Sequence, residues 1–258
     1  MAEWWEEAFR ADYLRVYPHR DDDEAVGDVS VLPEFLPGYG PDRRVLDLAC
    51  GAGRHLRAMT AAGVRPVGAD FSRDLLAEAR RRGSLAVVRC DMRTLPFRSG
   101  SFDAATMFFH SFGYFETEEE DARVLHEVSR VLVPGGGLFL QLPRPFDVRR
   151  YLVPRSTREA DGVKIEEERS IEEDGRRVRK RVTLSRKGET RSWTELVRLY
   201  PRSEVVRMAA AAGLRLPGWR SLGAGKFERT TLGGRPEESG SHGGKGVTLT
   251  LCFVKAAA

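Results

Sequence analysis

The stretch VLDLACGAGRH, residues 45–55, decides the fold of this chain. It begins within a short apolar strand, RVLDLA, turns at Gly51 and Gly53, and continues as the helical segment RHLRAMTAAG, which closes on Gly63. Glycine permits the sharp turn and lets a ligand approach the backbone without a Cβ atom in the way. The helix that follows directs its free N–H groups at the same point. The stretch therefore predicts a ligand-binding turn between a strand and a helix.

Strands and helices alternate along the chain after this turn. The predicted strands are RPVGAD, LAVVRCD, SFDAATMFF and GLFLQLP, and the helices are SRDLLAEARRR, with Ser72 as N-cap, and TEEEDARVLHEVSRVLVPGG. Acidic residues in the first turn of the second of these helices, and the proline and glycines at its end, are typical helix boundaries. Strands connected through helices lie parallel, so this order predicts a parallel sheet with helices on both faces.

The pattern changes between residues 147 and 200. Apolar and charged residues alternate there around Asp-Gly and Lys-Gly pairs, which is the period of half-buried antiparallel strands. The α/β pattern then resumes with the helix RSEVVRMAAAAG, the strand LRLPGWRSL and, after a glycine-rich loop at 233–246, the strand GVTLTLCFVK. Residues 1–40 predict a helix with aromatic residues on one side, followed by a polar DDDE run and a proline-rich turn.

Composition narrows the class of protein. The chain has 258 residues, a net charge of +4 and a sequence pI of about 9.1. A nucleic-acid partner is compatible with this balance but not required, because such binding needs positive charge gathered on one face. The three cysteines lie far apart without a CxxC pair, which argues against a disulfide framework and a zinc site and fits a reducing cytoplasm. No run approaches the roughly 18 apolar residues of a membrane span, and the acidic, amphipathic N-terminus is unlike a signal peptide.

Three acidic residues accompany three successive strands. Asp47 lies inside the first strand, Asp70 ends the second and Asp91 ends the third. A dinucleotide-binding turn would have a third glycine where this chain has Leu56, and the Gly-Lys-Ser/Thr ending of a phosphate-binding loop is absent. A carboxylate at Asp47 would repel a pyrophosphate but suits a ligand that carries an ammonium group. A parallel sheet with helices on both faces can also bind a nicotinamide dinucleotide, and these features argue against that function.

On these residues the chain resembles the class I S-adenosylmethionine-dependent methyltransferases. Their first motif runs hydrophobic-hydrophobic-D-hydrophobic-x-C/G-G-x-G, which VLDLACGAG matches at each position. FDAATMFFHSFGYF and RVLVPGGGLFL resemble the family's fourth strand and the turn before its fifth. The resemblance covers about residues 40–142; it is loose beyond residue 200 and nearly absent in the first 40 residues and the insertion. It implies S-adenosylmethionine as cofactor and S-adenosylhomocysteine as product.

The resemblance also implies roles for individual residues. Asp47 would lie near the methionine amino end of the cofactor, Asp70 would accept hydrogen bonds from the ribose diol, and Asp91 would accept from the adenine amine. Met92 would pack on the adenine ring. The cofactor-binding residues predicted in this way are Asp47, Ala49, Gly51, Gly53, Arg54, Asp70, Phe71, Asp91, Met92 and Phe108.

The methyl acceptor is expected beside the segment MFFHSFGYF, residues 107–115, because ligands of open α/β sheets bind at the carboxyl ends of the strands. Aromatic rings stabilise a sulfonium cation, which favours Phe112, Tyr114 and Phe115. His110 is a candidate general base. The predicted catalytic residues are His110, Tyr17 and Tyr114.

Other residues around the acceptor are predicted from their positions alone. Tyr13 and Tyr17 are candidates for a lid that excludes water, whereas Trp4 and Trp5 are expected to pack on the sheet. Further candidates for the acceptor pocket are Arg144, Tyr151 and Tyr200. The run RRVRKR, residues 176–181, is expected to be the solvated face of a strand.

Together these observations predict one domain over residues 1–258. Its core is a Rossmann-like, mostly parallel seven-stranded sheet with helices on both faces, plus a small antiparallel β insertion after the fifth strand. The predicted parts are an N-terminal helical lid (1–40), the cofactor-binding half (41–146), the insertion (147–200), and a C-terminal helix and strands that complete the sheet (201–258).

The function predicted is methyl transfer from S-adenosylmethionine to N or O of a small-molecule acceptor, by a cytoplasmic monomer or homodimer without a membrane, metal or nucleic-acid partner. Two alternatives stay open. An RNA or protein methyltransferase is favoured by the basic pI and opposed by the absence of an acceptor motif such as NPPY. A non-catalytic S-adenosylmethionine-binding protein would need the same three acids.

Overall fold

The computed structural model describes residues 3–18, 20–216 and 248–256. The helices are α1 (Trp4–Ala8), α2 (Tyr13–Val16), α3 (Asp22–Ser30), α4 (Leu32–Phe35), α5 (Arg54–Ala61), α6 (Arg73–Arg81), α7 (Glu118–Val131), α8 (Pro145–Tyr151) and α9 (Arg202–Ala211). The strands are β1 (Arg44–Leu48), β2 (Arg65–Asp70), β3 (Val87–Arg89), β4 (Phe102–Met107), β5 (Leu132–Pro143), β6 (Arg155–Ala160), β7 (Val163–Ile171), β8 (Arg177–Arg186), β9 (Glu189–Arg198), β10 (Leu214–Arg215) and β11 (Thr248–Lys255).

Seven of these strands form one sheet in the order β10-β11-β5-β4-β1-β2-β3. Strands β1 to β5 are parallel to one another, β11 is antiparallel to β5, and β10 is antiparallel to β11. The mostly parallel seven-stranded sheet predicted from the sequence is thereby confirmed. The strand order reverses at β1, where Asp47 is in register with Thr106 of β4 and with Gly68 of β2. The carboxyl ends of strands at such a reversal form a ligand-binding crevice.

Helices cover both faces of the sheet, as predicted. On one face α3 and α5 pack through Val29 and Met59 against strand residues such as Phe139. On the other face α7 and α9 pack through Leu125 and Met208. Both faces of β1 are therefore buried, which explains why its sequence is a continuous apolar run interrupted only by Asp47.

Local capping sets the helix boundaries. The Ser72 side chain accepts a hydrogen bond from Leu75 N at 3.1 Å, which confirms the predicted N-cap of α6. Thr117 and Glu120 form a capping box at the start of α7. Helix α7 ends at Val131, two residues before the proline that was predicted to end it, because Leu132, Val133 and the Pro-Gly-Gly turn belong to β5.

The N-terminal segment differs from its prediction. Residues 3–36 contain four short helices, α1 to α4, instead of one helix followed by a polar run and a turn. The DDDE run starts α3: Asp21 caps it by accepting from Glu24 N at 2.9 Å, and the next three residues are the acidic first turn. Carboxylates at this position interact favourably with the helix dipole, so the run begins a helix.

The insertion is a four-stranded antiparallel sheet in the order β6-β7-β8-β9, as predicted for this part of the chain. Asp161-Gly162 and Lys187-Gly188 turn two of its hairpins with positive φ at both residues, the geometry of two-residue hairpin loops. Helix α1 packs on β9. Helix α8 precedes the insertion and was not predicted.

The predicted strand LRLPGWRSL is present as β10 at its first two residues, and its remainder from residue 217 lies outside the described residues, as does the predicted loop at 233–246. Among the residues described, no helix combines the length and apolar character needed to cross a membrane.

Candidate functional site

A cavity of about 660 Å³, part of it open to solvent, lies at the carboxyl ends of β1, β2 and β3. Its lining comes from the glycine turn, the ends of the next two strands, the N-terminal segment and the chain after β4. The lining residues are Trp5, Phe9, Tyr13, Leu48, Ala49, Gly51, Ala69, Asp70, Phe71, Leu75, Cys90, Asp91, Met92, Ser111, Tyr114 and Phe115.

Gly51 and Gly53 have different structural roles in the turn. Ala49, Gly51 and Gly53 all have positive φ, between 55° and 75°. A Cβ atom on Gly51 would meet nothing closer than 3.9 Å, so this residue presents open backbone to the cavity. A Cβ atom on Gly53 would lie 2.6 Å from Ser84 Oγ. Gly53 is therefore required for packing behind the turn, and it does not line the cavity.

Asp70 links the turn to the cavity. Its Oδ2 accepts from Gly51 N and its Oδ1 from Ser72 N, both at 2.8 Å. Burial raises the pKa of this carboxyl, although the backbone N–H groups oppose the rise. Each carboxylate oxygen can accept a second hydrogen bond. Asp70 can thus hold the turn and still accept from the hydroxyl groups of a ligand.

Asp47 is a buried carboxylate with incomplete hydrogen bonding. Its side chain accepts from Thr106 Oγ1 at 2.9 Å through Oδ1. Among the residues that the structure describes, nothing donates to Oδ2. Burial raises the pKa of Asp47 to about 7. Asp47 does not line the cavity itself, but the next two residues do. An unsatisfied buried carboxylate at this place favours a cationic donor.

Asp91 and Met92 both line the cavity at the end of β3. Arg93 Nη2 donates to Asp91 Oδ2 at 2.6 Å, and the Arg93 guanidinium lies 4.3 Å from the ring centroid of Phe115. Burial raises the pKa of Asp91, but the hydrogen bonds from Arg93 outweigh it, so the pKa is below its ordinary value. Asp91 is therefore ionised at neutral pH and can accept from a ligand amine.

Two predicted cofactor contacts lie away from the cavity. Arg54 forms an ion pair with Glu24, and its guanidinium is 4.0 Å from the ring centroid of Phe109. Phe108 stacks on His55 with ring centroids 3.8 Å apart, within the layer of α3 and α5. Successive side chains of a strand point to opposite faces, and Phe108 extends β4 with its side chain on the face remote from the cavity.

The predicted catalytic residues occupy different places. Tyr114 lines the cavity, and its carbonyl accepts from Trp4 Nε1 at 3.1 Å. His110 Nε2 is 3.1 Å from Thr248 Oγ1, and burial lowers the pKa of His110 to about 4. Tyr17 donates to Glu195 Oε2 at 2.8 Å. Neither His110 nor Tyr17 lines the cavity; they lie towards β11 and the insertion respectively.

The backbone at the end of β4 is unusual. Phe109 and His110 have φ values of 54° and 59°, and both are non-glycine residues. Such conformations persist only where surrounding contacts enforce them, and they concentrate at functional sites. The Phe109 N–H donates to Gln141 Oε1 at 3.0 Å, which holds this strained turn against β5.

The predicted acceptor-pocket residues beyond β5 do not meet at the cavity. Tyr200 is 1% exposed and donates to Asp121 Oδ2 at 2.8 Å, so its predicted place in the pocket is wrong. Phe112 packs beside Tyr200 in the core. Tyr151 is exposed, and Arg144 pairs with Asp147 at 3.3 Å.

The N-terminal segment supplies cavity residues that the sequence reasoning assigned elsewhere or missed. Trp5 was expected only to pack on the sheet, yet it also lines the cavity, with its ring edge-on to Phe71 at 4.4 Å. Phe9 was missed. Trp5, Phe9, Tyr13 and Tyr17 recur at every fourth residue, which is the signal that could have grouped them on one side of the segment.

The basic run 176–181 is engaged within the molecule. Arg176 forms ion pairs with Glu118 and Glu204 at 2.7 and 2.9 Å. Lys180, whose side chain is 12% exposed, pairs with Glu167, so the predicted solvated face is wrong at this position. Nearby acidic residues offset a large part of the charge of this run.

Residues 45–136 match the family model described as a methyltransferase domain. The chain therefore carries a methyltransferase domain over these residues. This match includes the glycine turn, Asp70 and Asp91, but neither the N-terminal segment nor the insertion.

Curated relatives share this methyltransferase domain. The probable tRNA methyltransferase 9B of Homo sapiens is 36% identical over 127 residues, which are 47% of this chain and 27% of that protein. The cypemycin N-terminal methyltransferase of a Streptomyces species is 38% identical over 111 residues, or 42% of this chain and 45% of that protein. The chain thus spans less than half the length of these two relatives.

The fold is similar to solved structures beyond the methyltransferase domain. The CcbJ methyltransferase from Streptomyces caelestis superposes with a TM-score of 0.69 at 17% identity, covering 91% of this chain and 90% of that chain. At this identity the likeness establishes the fold and nothing finer.

Proposed function

We propose that this chain transfers a methyl group from S-adenosylmethionine to N or O of a small-molecule acceptor, with an amine nitrogen as the favoured target. The observation that carries the proposal is Asp47 Oδ2, a buried carboxylate oxygen without a donor among the described residues, in the strand that leads into the glycine turn. A methionine ammonium group has the positive charge and the N–H donors that this oxygen lacks.

The remaining cofactor contacts are proposed from the cavity lining. Asp70 would accept from the ribose hydroxyls, Asp91 would accept from the adenine amine, and Met92 and Phe71 would pack on its ring. Ala49 and Gly51 would face the cofactor through their backbone. Gly53 would support the turn from behind, and Arg54 and Phe108, which lie away from the cavity, make no cofactor contact in this proposal. S-adenosylmethionine, when bound, supplies an electrophilic methyl group.

With His110 as the candidate base, a neutral amine is a better acceptor than a hydroxyl. Because burial lowers the pKa of His110 to about 4, its imidazole is neutral at pH 7 but too weak a base to assist a hydroxyl strongly. An amine attacks as the neutral base, so positioning supplies much of the rate. Tyr13, Tyr17 and Tyr114 would enclose the site against water. The name of the cypemycin N-terminal methyltransferase, 38% identical over 111 residues, also supports a nitrogen acceptor.

RNA is the second candidate acceptor, because a relative 36% identical over 127 residues is named a probable tRNA methyltransferase. The ion pairs of Arg176 and Lys180 oppose it, since these side chains are already paired with carboxylates and phosphate binding would need their charge.

The three cysteines are free thiols, which supports the cytoplasmic location proposed for this protein. A monomer or homodimer is proposed as before.

An acceptor screen tests the proposal. The purified chain is incubated with S-adenosylmethionine and either a library of small amines and alcohols or bulk tRNA, and S-adenosylhomocysteine is measured by mass spectrometry. We expect product with particular amines. Product only with tRNA, at a rate that falls steeply between 50 and 200 mM salt, would establish the RNA alternative. Cofactor binding without product from any acceptor would favour the non-catalytic alternative.

A further inference from the structure

Arg20 lies among three aromatic rings beside the candidate site. Its guanidinium carbon is 4.2 Å from the ring centroid of Tyr17, 5.0 Å from that of Phe109 and 5.7 Å from that of Tyr13. Its Nη1 donates to the Tyr13 hydroxyl. The rings fix the plane of the guanidinium by cation–π contact, and among the described residues its Nε–H has no acceptor.

The guanidinium of Arg20 has no acidic partner in the part of the chain that the structure describes. Its Nε is buried and donates to no acceptor there. The neighbouring basic groups are paired, since Arg54 on the same Phe109 ring binds Glu24, and Lys180 binds Glu167. Glu195 is close enough to act electrostatically, but its two oxygens already accept from Tyr17 and Trp193. A buried cation left in this state favours an anionic ligand.

The position of Arg20 connects it to the reaction site. Tyr13, which accepts its hydrogen bond, lines the cavity together with Tyr114. On the other side, Tyr17 contacts Glu195 and Lys180 of the insertion. Arg20 therefore lies where the N-terminal segment, the cavity and the insertion meet.

We propose that Arg20 binds the carboxylate or phosphate group of a small-molecule ligand. With the acceptor as that ligand, the acceptor is an amine that also carries an acidic group. A planar guanidinium pairs with such oxyanions through two parallel hydrogen bonds. The acceptor is the first choice of ligand because Arg20 contacts the residue that binds the insertion, Tyr17. The carboxylate of the cofactor is the second source of the same chemistry. The inference rests on the proposed function. Its test distinguishes binding of the acceptor from binding of the cofactor carboxylate.

The first arm of the test compares Arg20→Gln with the wild type and with Arg15→Gln, a control in the same segment whose arginine is paired with Asp12 at 2.8 Å. Calorimetry measures the affinity of each for S-adenosylmethionine and for decarboxylated S-adenosylmethionine. If Arg20 binds the cofactor carboxylate, Arg20→Gln weakens the first by about 10- to 100-fold and leaves the second unchanged. If it binds the acceptor, neither affinity changes.

The second arm uses inorganic phosphate and acetate as probes on protein saturated with S-adenosylhomocysteine. For an acceptor site, we expect either probe to raise the melting temperature of the wild type and Arg15→Gln but not of Arg20→Gln. Arg20→Lys keeps the charge without the planar fork and should retain part of the effect, which guards against a folding defect in Arg20→Gln.

The outcomes are distinct. Equal behaviour of Arg20→Gln and wild type in both arms would overturn the inference and leave Arg20 a structural cation among aromatic rings. If the wild type does not bind S-adenosylmethionine at all, the proposed function fails, while the phosphate titration of the ligand-free protein still decides whether Arg20 binds an oxyanion.

Discussion

Asp47 is the residue whose protonation decides how well the site accepts a cation. Its carboxyl has a pKa of about 7, raised from 3.8 by burial. Binding of an ammonium group requires the ionised form, so protons compete with the ligand below pH 7. We predict that S-adenosylmethionine affinity falls about tenfold per pH unit as the pH drops from 7 to 5.5.

Calorimetric titrations of the wild type and Asp47→Asn over this pH range measure the effect. The variant should bind more weakly at pH 7.5 and show no comparable slope, because its side chain does not ionise. A wild-type affinity that stays constant down to pH 5.5 would mean that Asp47 does not contact the ligand's positive charge.

His110 is expected to act as a neutral group throughout the physiological range. Burial, with the charge of Arg20, lowers its pKa to about 4. With an acceptor that supports turnover, kcat should therefore show no inflection near pH 6.5 that depends on His110. Because so weak a base assists proton transfer little, we expect His110→Ala to lower kcat by less than about tenfold and to leave the affinity for S-adenosylmethionine nearly unchanged. A loss of about 10²-fold or more would contradict this account and show that His110 acts as a general base.

The N-terminal segment is the element that connects cavity and insertion. Helices α1 and α2 have five and four residues, and the described residues give neither a side-chain N-cap hydrogen bond. If the segment is a lid, S-adenosylhomocysteine should slow amide hydrogen exchange in residues 3–18 by about tenfold or more. The β8–β9 hairpin turn at Lys187-Gly188, an element remote from the glycine turn in sequence, serves as control. Exchange in residues 3–18 that is indifferent to the ligand would argue against a lid.

The insertion contains a buried ionic network centred on Glu167, which is 8% exposed. Glu167 binds Lys180, and it also binds Arg169 at 2.8 Å and Ser156 at 3.1 Å. Removing the shared carboxylate leaves Lys180 and Arg169, whose side chains are each 12% exposed, without their acidic partner. Glu167→Gln should therefore lower the free energy of unfolding by about 3 kcal/mol.

The matched control is Glu168→Gln on the next residue of the same strand. Glu168 is more than half exposed and pairs with Arg155 at 3.3 Å, so its loss should cost less than about 0.5 kcal/mol. Urea unfolding of both variants measures the difference. If both variants lose the same free energy of unfolding, the buried network contributes no more to stability than an exposed ion pair.

At the scale of elements, the sequence predicted what local chemistry determines. The Ser72 cap and the Lys187-Gly188 turn follow from short-range hydrogen bonding and backbone freedom, and the structure has both. The DDDE run was misread because its capping role becomes visible only when Asp21 is recognised as the residue before the helix.

Across the whole molecule, the failures concern which elements meet. The sequence around Trp5 does not specify that its ring centroid lies 4.4 Å from that of Phe71, a residue of another layer. In the same way, the Tyr200 hydroxyl donates a hydrogen bond to Asp121 of α7, which lies far from it in the sequence. The strand-end acids were predictable because the alternation of strands and helices brings their ends to one edge of the sheet.

Calorimetric titration with S-adenosylmethionine and with NAD tests the central claim most directly. No described residue donates to the buried Oδ2 of Asp47, and a carboxylate at this place would repel the pyrophosphate of a dinucleotide. We predict micromolar binding of S-adenosylmethionine, weakened in Asp47→Asn, and no binding of NAD. Binding of NAD, or of neither ligand, would contradict the assignment of the glycine turn and with it the proposed methyl transfer.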